Sequence, residues 1–196
     1  MALLGVLALQ GAFREHCRAL SSLGAAVREV RQRPHLDGID GLVIPGGEST
    51  TIGKLLVELG MMEPLRQRLL DGMPVYGTCA GLILLCNDIE DSDQPRLGVL
   101  DATVRRNAFG RQVDSFETSL PVKGLDAPVQ GVFIRAPLIT RVGPGVDVLA
   151  RVDMTRHAGT GEEIVAVRQN RVLATSFHPE LTPDTRLHRY FLDMLG

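Results

Sequence analysis

Short apolar runs alternate with segments of helical periodicity in the N-terminal part of the chain, and this alternation constrains the fold more than any other sequence feature. The strand-like runs are LLGVLAL, AAVREV and GLVIPGG. The helical segments are FREHCRALSSLG, STTIGKLLVELG and EPLRQRLLDG. Ser49 or Thr50 is the expected cap of the second helix. The β-α-β-α-β order predicts a doubly wound α/β fold, with helices on both faces of a mostly parallel sheet.

The pattern changes between Gly98 and Ser176 to the alternation of polar and apolar residues that is typical of antiparallel strands. Three such stretches are GVFIRA, DVLARV and EEIVAVRQNRVLATS. We predict a hairpin turn at Gln169-Asn170, and a capped amphipathic helix in PDTRLHRYFLDMLG. Because no linker or repeat divides the chain, we expect residues 1–196 to form one domain whose parallel sheet carries antiparallel additions.

The composition limits the partners of the chain. Its 196 residues are 44% apolar and carry a net charge of -2, which allows a sizeable core and provides no basic surface for nucleic acid. The stretch from Ala2 to Leu9 is too short to span a bilayer and lacks the features of a signal peptide, so we interpret it as a buried strand. Three cysteines without metal-ligand spacing favour reduced thiols in the cytoplasm.

Cys79 lies between two glycines, in GTCAG, where a strand-like run gives way to a helical pattern. The G-x-C-x-G spacing is the thiol counterpart of the nucleophile elbow G-x-S-x-G, in which glycines permit tight packing around a strained turn. A helix N-terminus that faces the sulfur favours the thiolate, and the backbone N–H of Ala80 is a natural oxyanion donor. From this pentapeptide alone, a small buried thiol in a glycine-rich turn is an equally good interpretation.

The segment SFHPEL supplies a candidate base for that thiol. Pro179 favours extended geometry at His178, and residues two apart in an extended segment point to the same side. Glu180 is therefore expected to bind one imidazole nitrogen while the other nitrogen faces the thiol, as in a catalytic triad. The alternative is a structural His-Pro turn with a solvated glutamate. It is weakened because reactive groups gather at the carboxyl ends of strands in doubly wound sheets.

The stretch IPGGEST also follows a strand-like run. Its adjacent glycines let backbone N–H groups approach a ligand closely, and the helix that follows favours a carboxylate or an oxyanion. A phosphate site would have similar features. The stretch lacks the lysine of a P-loop, however, so nucleotide binding has little support.

The remaining thiols and imidazoles carry weaker signals. The expected core thiols are Cys17 and Cys86. The expected solvated helix positions are His16 and His188. Because His35 and His157 have no partner at metal-ligand spacing, no metal site is predicted.

An elbow GTCAG with a distant HPE on a doubly wound framework resembles the triad-type, class I glutamine amidotransferases, whose sheet is flavodoxin-like. More closely, the chain resembles the glutaminase subunits of pyridoxal 5'-phosphate synthase, in register along nearly its whole length. The stretches that carry this resemblance are GVLALQGAFREH, PGGESTTIGKLL, GTCAGLILL, RNAFGRQVDSFE, GVFIRAP and SFHPELTPD.

The resemblance implies roles for individual residues. It makes Cys79 the nucleophile, His178 the general base and acid, and Glu180 the orienting carboxylate. The residues implied to contact L-glutamine are Gly47, Glu48, Ser49, Arg106, Ile134 and Arg135. The implied oxyanion donors are the backbone N–H groups of Gly47 and Ala80, with Gln10 near that loop and coupled to the partner. The choice of Arg106 over Arg105 depends on register alone, since adjacent strand residues face opposite sides.

The resemblance also implies a reaction and a partner. L-glutamine would be hydrolysed to L-glutamate and ammonia through a cysteine thioester, and the ammonia would pass to a synthase subunit that switches the glutaminase on in a large hetero-oligomer. No bound cofactor is expected. The glutaminase subunits of imidazole-glycerol-phosphate synthesis are disfavoured because their strand-end loop differs. A non-catalytic binding module on the same fold is the alternative from another class, and it would be expected to lack a member of the Cys79, His178 and Glu180 set.

Overall fold

The computed structural model describes residues 2–106, 115–155 and 161–196. The helices are α1 (Phe13–Ser22), α2 (Ser49–Glu58), α3 (Met62–Leu70), α4 (Ala80–Leu85) and α5 (Arg186–Asp193), with short 3-10 helices at Arg33–Leu36 and Pro179–Leu181. The strands are β1 (Leu3–Leu7), β2 (Ala26–Val30), β3 (Gly41–Ile44), β4 (Val75–Thr78), β5 (Cys86–Ile89), β6 (Leu100–Arg105), β7 (Ser115–Leu120), β8 (Val129–Ile134), β9 (Leu138–Val142), β10 (Asp147–Asp153), β11 (Glu162–Gln169) and β12 (Val172–Thr175). Over these described ranges, no helix has both the length and the apolarity to cross a bilayer.

A ten-stranded sheet forms the centre of the molecule, in the order β2-β1-β3-β4-β12-β11-β9-β6-β5, with β10 paired to β11. The strands from β2 to β12 along this order pair in parallel. Antiparallel pairs then join β12 to β11, β11 to β9 and β9 to β6, and β7 pairs with β8 in a separate hairpin. The predicted class, a mostly parallel sheet flanked by helices with antiparallel additions, is confirmed.

Two apolar layers cover the two faces of this sheet. In β3, Leu42 and Ile44 enter the layer that contains Leu56 of α2, whereas Val43 enters the layer that contains Phe191 of α5. All four residues of β3 are buried, which explains why GLVI is a continuous apolar run and does not alternate. Each large apolar side chain buried in this way stabilises the fold by about 1.5–3 kcal/mol.

Two local expectations were wrong. The cap of α2 is Glu48, whose side chain accepts a 3.4 Å hydrogen bond from the N–H of Thr50, and Ser49 is already the first helical residue. The turn between β11 and β12 is shifted by one residue, because Gln169 pairs with Val172 and is part of the ladder. The turn therefore begins at residue 170, an asparagine with φ of 52°, a conformation that asparagine tolerates.

Candidate active site

Cys79 occupies a sharp turn between the end of β4 and the start of α4. Its backbone has φ 47° and ψ -99°, a region that residues other than glycine rarely adopt. The N–H of Cys79 donates a 2.8 Å hydrogen bond to the carbonyl of Thr175, which ties the turn to β12. Only 7% of the residue is exposed. The strained turn is held by buried structure on both sides and presents the thiol at a restricted opening.

The two glycines of GTCAG are required by close packing of the backbone. A β-carbon on Gly77 would lie 2.7 Å from the carbonyl carbon of Gly81, and a β-carbon on Gly81 would overlap the carbonyl oxygen of Ile44. Both obstacles are main-chain atoms, which cannot rotate away as a side chain would. The tight packing predicted from the glycines is present at both positions.

His178 and Glu180 form a buried pair directly after β12. Their Nδ1 and Oε1 atoms are 2.7 Å apart, and each residue is 7% exposed. His178 has φ -108° and ψ 85°, outside the α region as Pro179 predicted. Glu180, however, lies within the 3-10 helix Pro179–Leu181, so the segment from His178 to Glu180 is not extended throughout, and that part of the expectation was wrong. The N–H of His178 also donates to the carbonyl of Val132 in β8 at 2.8 Å, which fixes the backbone of the pair.

Burial and hydrogen bonding have opposite effects on the charges of this pair. Burial lowers the pKa of His178, but hydrogen bonds with Cys79 and Glu180 outweigh it and raise the pKa to about 10. Burial raises the pKa of Glu180, while His16 and His178 lower it, and the net pKa lies below the ordinary value. At neutral pH the site therefore holds an imidazolium bound to a carboxylate beside the thiol.

A cavity of about 250 Å³ opens beside Cys79 and His178. Its other lining residues are Gln10, Gly47, Glu48, Ser49, Ile83, Arg106, Ile134 and Arg135. Six of these are the residues that the sequence implied for glutamine contact, so the structure brings that whole set together. Ala80 and Glu180 are not on the lining; Ala80 begins α4, and Glu180 is bonded to His178. Ile83 was not predicted, although its position one helical turn after Cys79 was a usable signal.

Arg106 borders the cavity, whereas Arg105 does not. Arg106 donates from Nη1 to Gln94 Oε1 at 2.8 Å and from Nη2 to Glu48 Oε1 at 3.2 Å. Arg105 donates from Nε to Glu90 Oε2 at 2.6 Å, and its side chain is 56% exposed. The position of Arg106 agrees with the register that the sequence implied.

Gln94 is a buried residue behind the cavity that sequence reasoning missed. Its Oε1 accepts hydrogen bonds from the hydroxyls of Ser49 and Thr50 as well as from Arg106. Its Nε2 makes no hydrogen bond with the described residues. Gln94 thereby joins the start of α2 to the arginine that follows β6. The surrounding SDQP is polar and loop-like, and no motif in it signals burial.

The loop after β3 is interlocked with the loop after β1. Gln10 Oε1 accepts a 2.7 Å hydrogen bond from the N–H of Glu48, and the N–H of Ala12 donates to the carbonyl of Gly46 at 3.0 Å. A β-carbon on Gly47 would overlap the Gln10 amide, and one on Gly11 would overlap the Gly46 carbonyl. Gln10 therefore lies beside the glycine loop, as the sequence implied.

The expectation for His16 and His188 was wrong. Both residues are fully buried, and their Nδ1 and Nε2 atoms are 2.9 Å apart across α1 and α5. His16 Nε2 lies 3.4 Å from Glu180 Oε2, next to the pair of His178 and Glu180. Histidine counts as a polar position in a helical pattern, and its burial depends on a partner helix at the other end of the chain.

Three other predicted positions do not line the cavity. Cys86 is a buried core thiol, as expected, and burial raises its pKa. Cys17 is only half-buried, and burial raises its pKa to about 11. His35 lies in the first 3-10 helix, where its ring contacts the amide of Gln32. His157 and residues 107–114 of the RNAFGRQVDSFE stretch lie outside the described residues.

The fold defines the class of this protein, that of the glutamine amidotransferases. A crystal structure described as a glutamine amidotransferase is 56% identical, covers 98% of both chains and has a TM-score of 0.90. Two distant structures share the fold alone. One is a GMP synthase component from Thermoplasma acidophilum, with 20% identity, a TM-score of 0.67 and coverage of 100% of this chain and 94% of that chain. The other is PurLQS from Thermotoga maritima, with 16% identity, a TM-score of 0.73 and coverage of 100% of this chain and 99% of that chain.

Within this class, the chain belongs to the SNO glutamine amidotransferase family, whose model matches residues 6–196. It is 58% identical over 193 residues to the pyridoxal 5'-phosphate synthase subunit PdxT of Desulforudis audaxviator, with 97% of each chain covered. It is 55% identical over 195 residues to the PdxT of Moorella thermoacetica, with 98% of this chain and 99% of the relative covered. The family resemblance inferred from the sequence is confirmed.

Proposed function

We propose that this chain is the glutaminase subunit of a pyridoxal 5'-phosphate synthase, which hydrolyses L-glutamine to L-glutamate and ammonia and delivers the ammonia to a synthase subunit. The observation that carries the proposal is the cavity itself. It joins a cysteine on a strained turn to a carboxylate-bound histidine, and all six residues implied to contact glutamine line it. The names of the PdxT relatives support the synthase partner.

Charges around the cavity suit a free amino acid. Glutamine carries an α-carboxylate and an α-ammonium, so a site for it needs a cation and an acceptor. Arg106 and Arg135 supply cations, and Glu48 supplies an acceptor. Arg135 is held at φ 42°, a strained conformation that agrees with a role in binding. The side-chain amide of the substrate would then extend toward Cys79.

The proposed chemistry has two halves. The Cys79 thiolate attacks the amide carbon of glutamine, and His178 protonates the nitrogen as the C–N bond breaks, so ammonia leaves and a glutamyl thioester remains. His178 then takes a proton from water, which attacks the thioester, and the C–S bond breaks to release glutamate. Glu180 keeps the imidazole oriented in both halves. The N–H groups of Gly47 and Ala80 are the proposed donors to the oxyanion.

Gating by the partner is part of the proposal and rests on the loop at Gly47. The peptide unit that contains the N–H of Gly47 also contains the carbonyl of Gly46, which accepts a hydrogen bond from Ala12. Reorienting that N–H also turns the Gly46 carbonyl and therefore breaks its hydrogen bond with Ala12, which lies two residues after Gln10. Because loss of one oxyanion donor costs about 10²–10³ in rate, docking of the synthase near Gln10 would switch the enzyme. Equal hydrolysis rates for the lone chain and the complex would contradict gating and leave the triad untouched.

The proposal extends to organisation and location. Residues 1–196 would act as one amidotransferase domain, which the two apolar layers on a shared sheet support. Cytoplasmic location is supported by three cysteines that are all free thiols, and assembly would be a large hetero-oligomer with synthase subunits.

The decisive experiment measures ammonia release from glutamine by the complex with its synthase subunit. Cys79→Ala should abolish hydrolysis while the fold and the partner interaction remain intact, because no acyl intermediate can form. Cys86→Ala is the matched control and should keep most activity, since this buried thiol lies in the core. An electrophilic glutamine analogue should label Cys79 alone by mass spectrometry. Labelling at Cys17, or activity in Cys79→Ala, would overturn the assignment.

A further inference from the structure

Two buried histidines lie behind the proposed triad, and the proposed chemistry does not use them. His16 is on α1 and His188 is on α5, and neither is exposed to solvent. The rings contact each other through His16 Nδ1 and His188 Nε2 at 2.9 Å. The other nitrogen of His16 is 3.1 Å from Thr78 Oγ1 and 3.4 Å from Glu180 Oε2. The cluster thus leads from the terminal helix to the carboxylate that binds His178.

Hydrogen-bond satisfaction selects one pair of tautomers. If His16 held its proton on Nδ1, its Nε2 lone pair would face the Glu180 carboxylate. His188 would then hold its proton on Nδ1, which makes no hydrogen bond with the described residues. A buried N–H without a partner carries the full cost of its desolvation. In the other pair of tautomers, both histidines hold their proton on Nε2. His188 then donates to His16 Nδ1, and His16 donates toward Thr78 and Glu180, so both N–H groups have a partner.

The second carboxylate oxygen of Glu180 needs such a donor. Oε1 is bound to His178, whereas Oε2 is buried and makes no hydrogen bond of conventional geometry within the described part of the chain. Its close polar contact is His16 Nε2. A buried carboxylate oxygen with no partner would be free to rotate or to take up a proton, and either change would weaken its hold on the imidazole.

We propose that His16, held in its tautomer by His188, is a positioning residue that fixes Glu180 and, through Glu180, the imidazole of His178. The inference rests on the proposed glutaminase function of Cys79 and His178. His16 acts from behind the carboxylate and does not touch the substrate cavity, whose lining does not include it. It supplies a directed N–H and no second positive charge.

The surroundings keep both histidines neutral. Burial lowers the pKa of His16, and burial followed by repulsion from His16 lowers the pKa of His188 to about 3. His178 and Glu15 also act on His16, and Asp184 also acts on His188. Glu180 acts on both histidines. The ring of Tyr76 packs against both imidazoles. A neutral donor leaves the negative charge of Glu180 available to hold the proton of His178.

The first test is steady-state kinetics of the complex with its synthase subunit, for His16→Leu and His16→Gln. His16→Leu should lower kcat about tenfold to 100-fold, the scale seen for groups that orient a functional histidine from behind, with KM within about twofold. The alkaline limb of the pH profile should move to lower pH, because a poorly held carboxylate binds the His178 proton less firmly. His16→Gln keeps a donor at a similar reach and should recover most of kcat and the original pH limb.

A matched control separates positioning from stability. Leu20→Ala removes a fully buried side chain from the same helix, so it should lower the midpoint of urea unfolding while kcat and the alkaline limb of the pH profile stay unchanged. His188→Leu, which removes the donor to His16 Nδ1, should shift the same pH limb by a smaller amount and keeps the test available if His16→Leu does not fold. If the alkaline limb of the pH profile lies at the wild-type pH in a folded His16→Leu protein, the inference is overturned. If His16→Leu does not fold, the same result in a folded His188→Leu protein overturns it.

A second readout does not depend on activity. In ¹⁵N-histidine NMR spectra of the free chain at neutral pH, His16 should show its proton on Nε2. A proton on Nδ1 would refute the tautomer assignment and the positioning role with it. If instead the wild-type complex hydrolyses no glutamine, the proposed function fails, which is a different result from an active enzyme that is indifferent to His16.

Discussion

Gly46 offers the sharpest test of how tightly the site is built. A β-carbon at this position would lie 2.8 Å from Nδ1 of His178 and would overlap Cε1 of the same ring, whereas ordinary contact begins near 3.4 Å. In Gly46→Ala the imidazole must therefore retreat by more than about 0.6 Å, which disturbs its 2.7 Å hydrogen bond to Glu180. Misplacement of a reacting group by about 1 Å costs about 10²-fold in rate, or roughly 2.7 kcal/mol of barrier.

The assay is glutamine hydrolysis by the complex, with the midpoint of urea unfolding measured on the same preparations. Gly46→Ala should lose about 100-fold in kcat while the protein stays folded, since overpacking by one methyl group costs about 1–3 kcal/mol. Gly145→Ala is the control, because its β-carbon would meet nothing nearer than Gln169 Nε2 at 3.7 Å. If Gly46→Ala keeps more than a third of wild-type kcat, the imidazole is not confined by the Gly46 backbone.

Three further predictions concern support, roles and acid stability. Gln94→Leu should raise KM about tenfold, because it removes the acceptor that holds Arg106. Gln94→Glu keeps an acceptor oxygen and should leave KM unchanged. Steady-state kinetics measures both values, and an unchanged KM in Gln94→Leu would contradict the prediction. His178→Asn should lower kcat nearly as much as removal of the nucleophile does. The loss in kcat for Glu180→Gln should be about tenfold to 100-fold smaller than that, because the base remains. Equal and negligible losses of kcat at both positions would mean that the pair is structural. The pKa of His188 is lowered by burial to about 3, so the unfolded chain binds more protons below about pH 6.5 and stability falls with acid. His188→Leu should flatten that slope by up to about 1.4 kcal/mol per pH unit in urea unfolding, and an unchanged slope would contradict the assignment.

The parallel half of the fold could be predicted because its central strands, β3, β4 and β12, are buried along their whole length. A continuous apolar run as short as that of β3 is typical of a strand buried on both faces, because a buried helix would need a longer run, and its position between helical segments indicates the class. The antiparallel half could be recognised but not ordered. β9 lies between β6 and β11, and such pairings between distant strands are decided by tertiary packing and not by local pattern.

The candidate site shows the same division. Cys79 could be found because the close backbone packing around its turn demands glycine at positions 77 and 81, and those glycines are visible in the sequence. His178 and Glu180 were found by spacing, although the turn between them is helical. His16 and Gln94 were missed because a polar side chain is buried only when distant elements supply its partners. The contacts of His16 come from β4, α5 and the segment after β12, and no periodicity along α1 reveals them.

The hairpin of β7 and β8 joins the lining of the cavity to the backbone of His178. The end of β8 carries Ile134 and Arg135 to the cavity, and two residues earlier the carbonyl of Val132 holds the backbone of His178 at 2.8 Å. On the proposed roles, a change that reshapes this hairpin for a different amide would also move His178, the proposed base and acid. Substrate affinity and turnover would then change together. Redesign of specificity is better begun at Arg106 and its partner Gln94, which lie outside this hairpin.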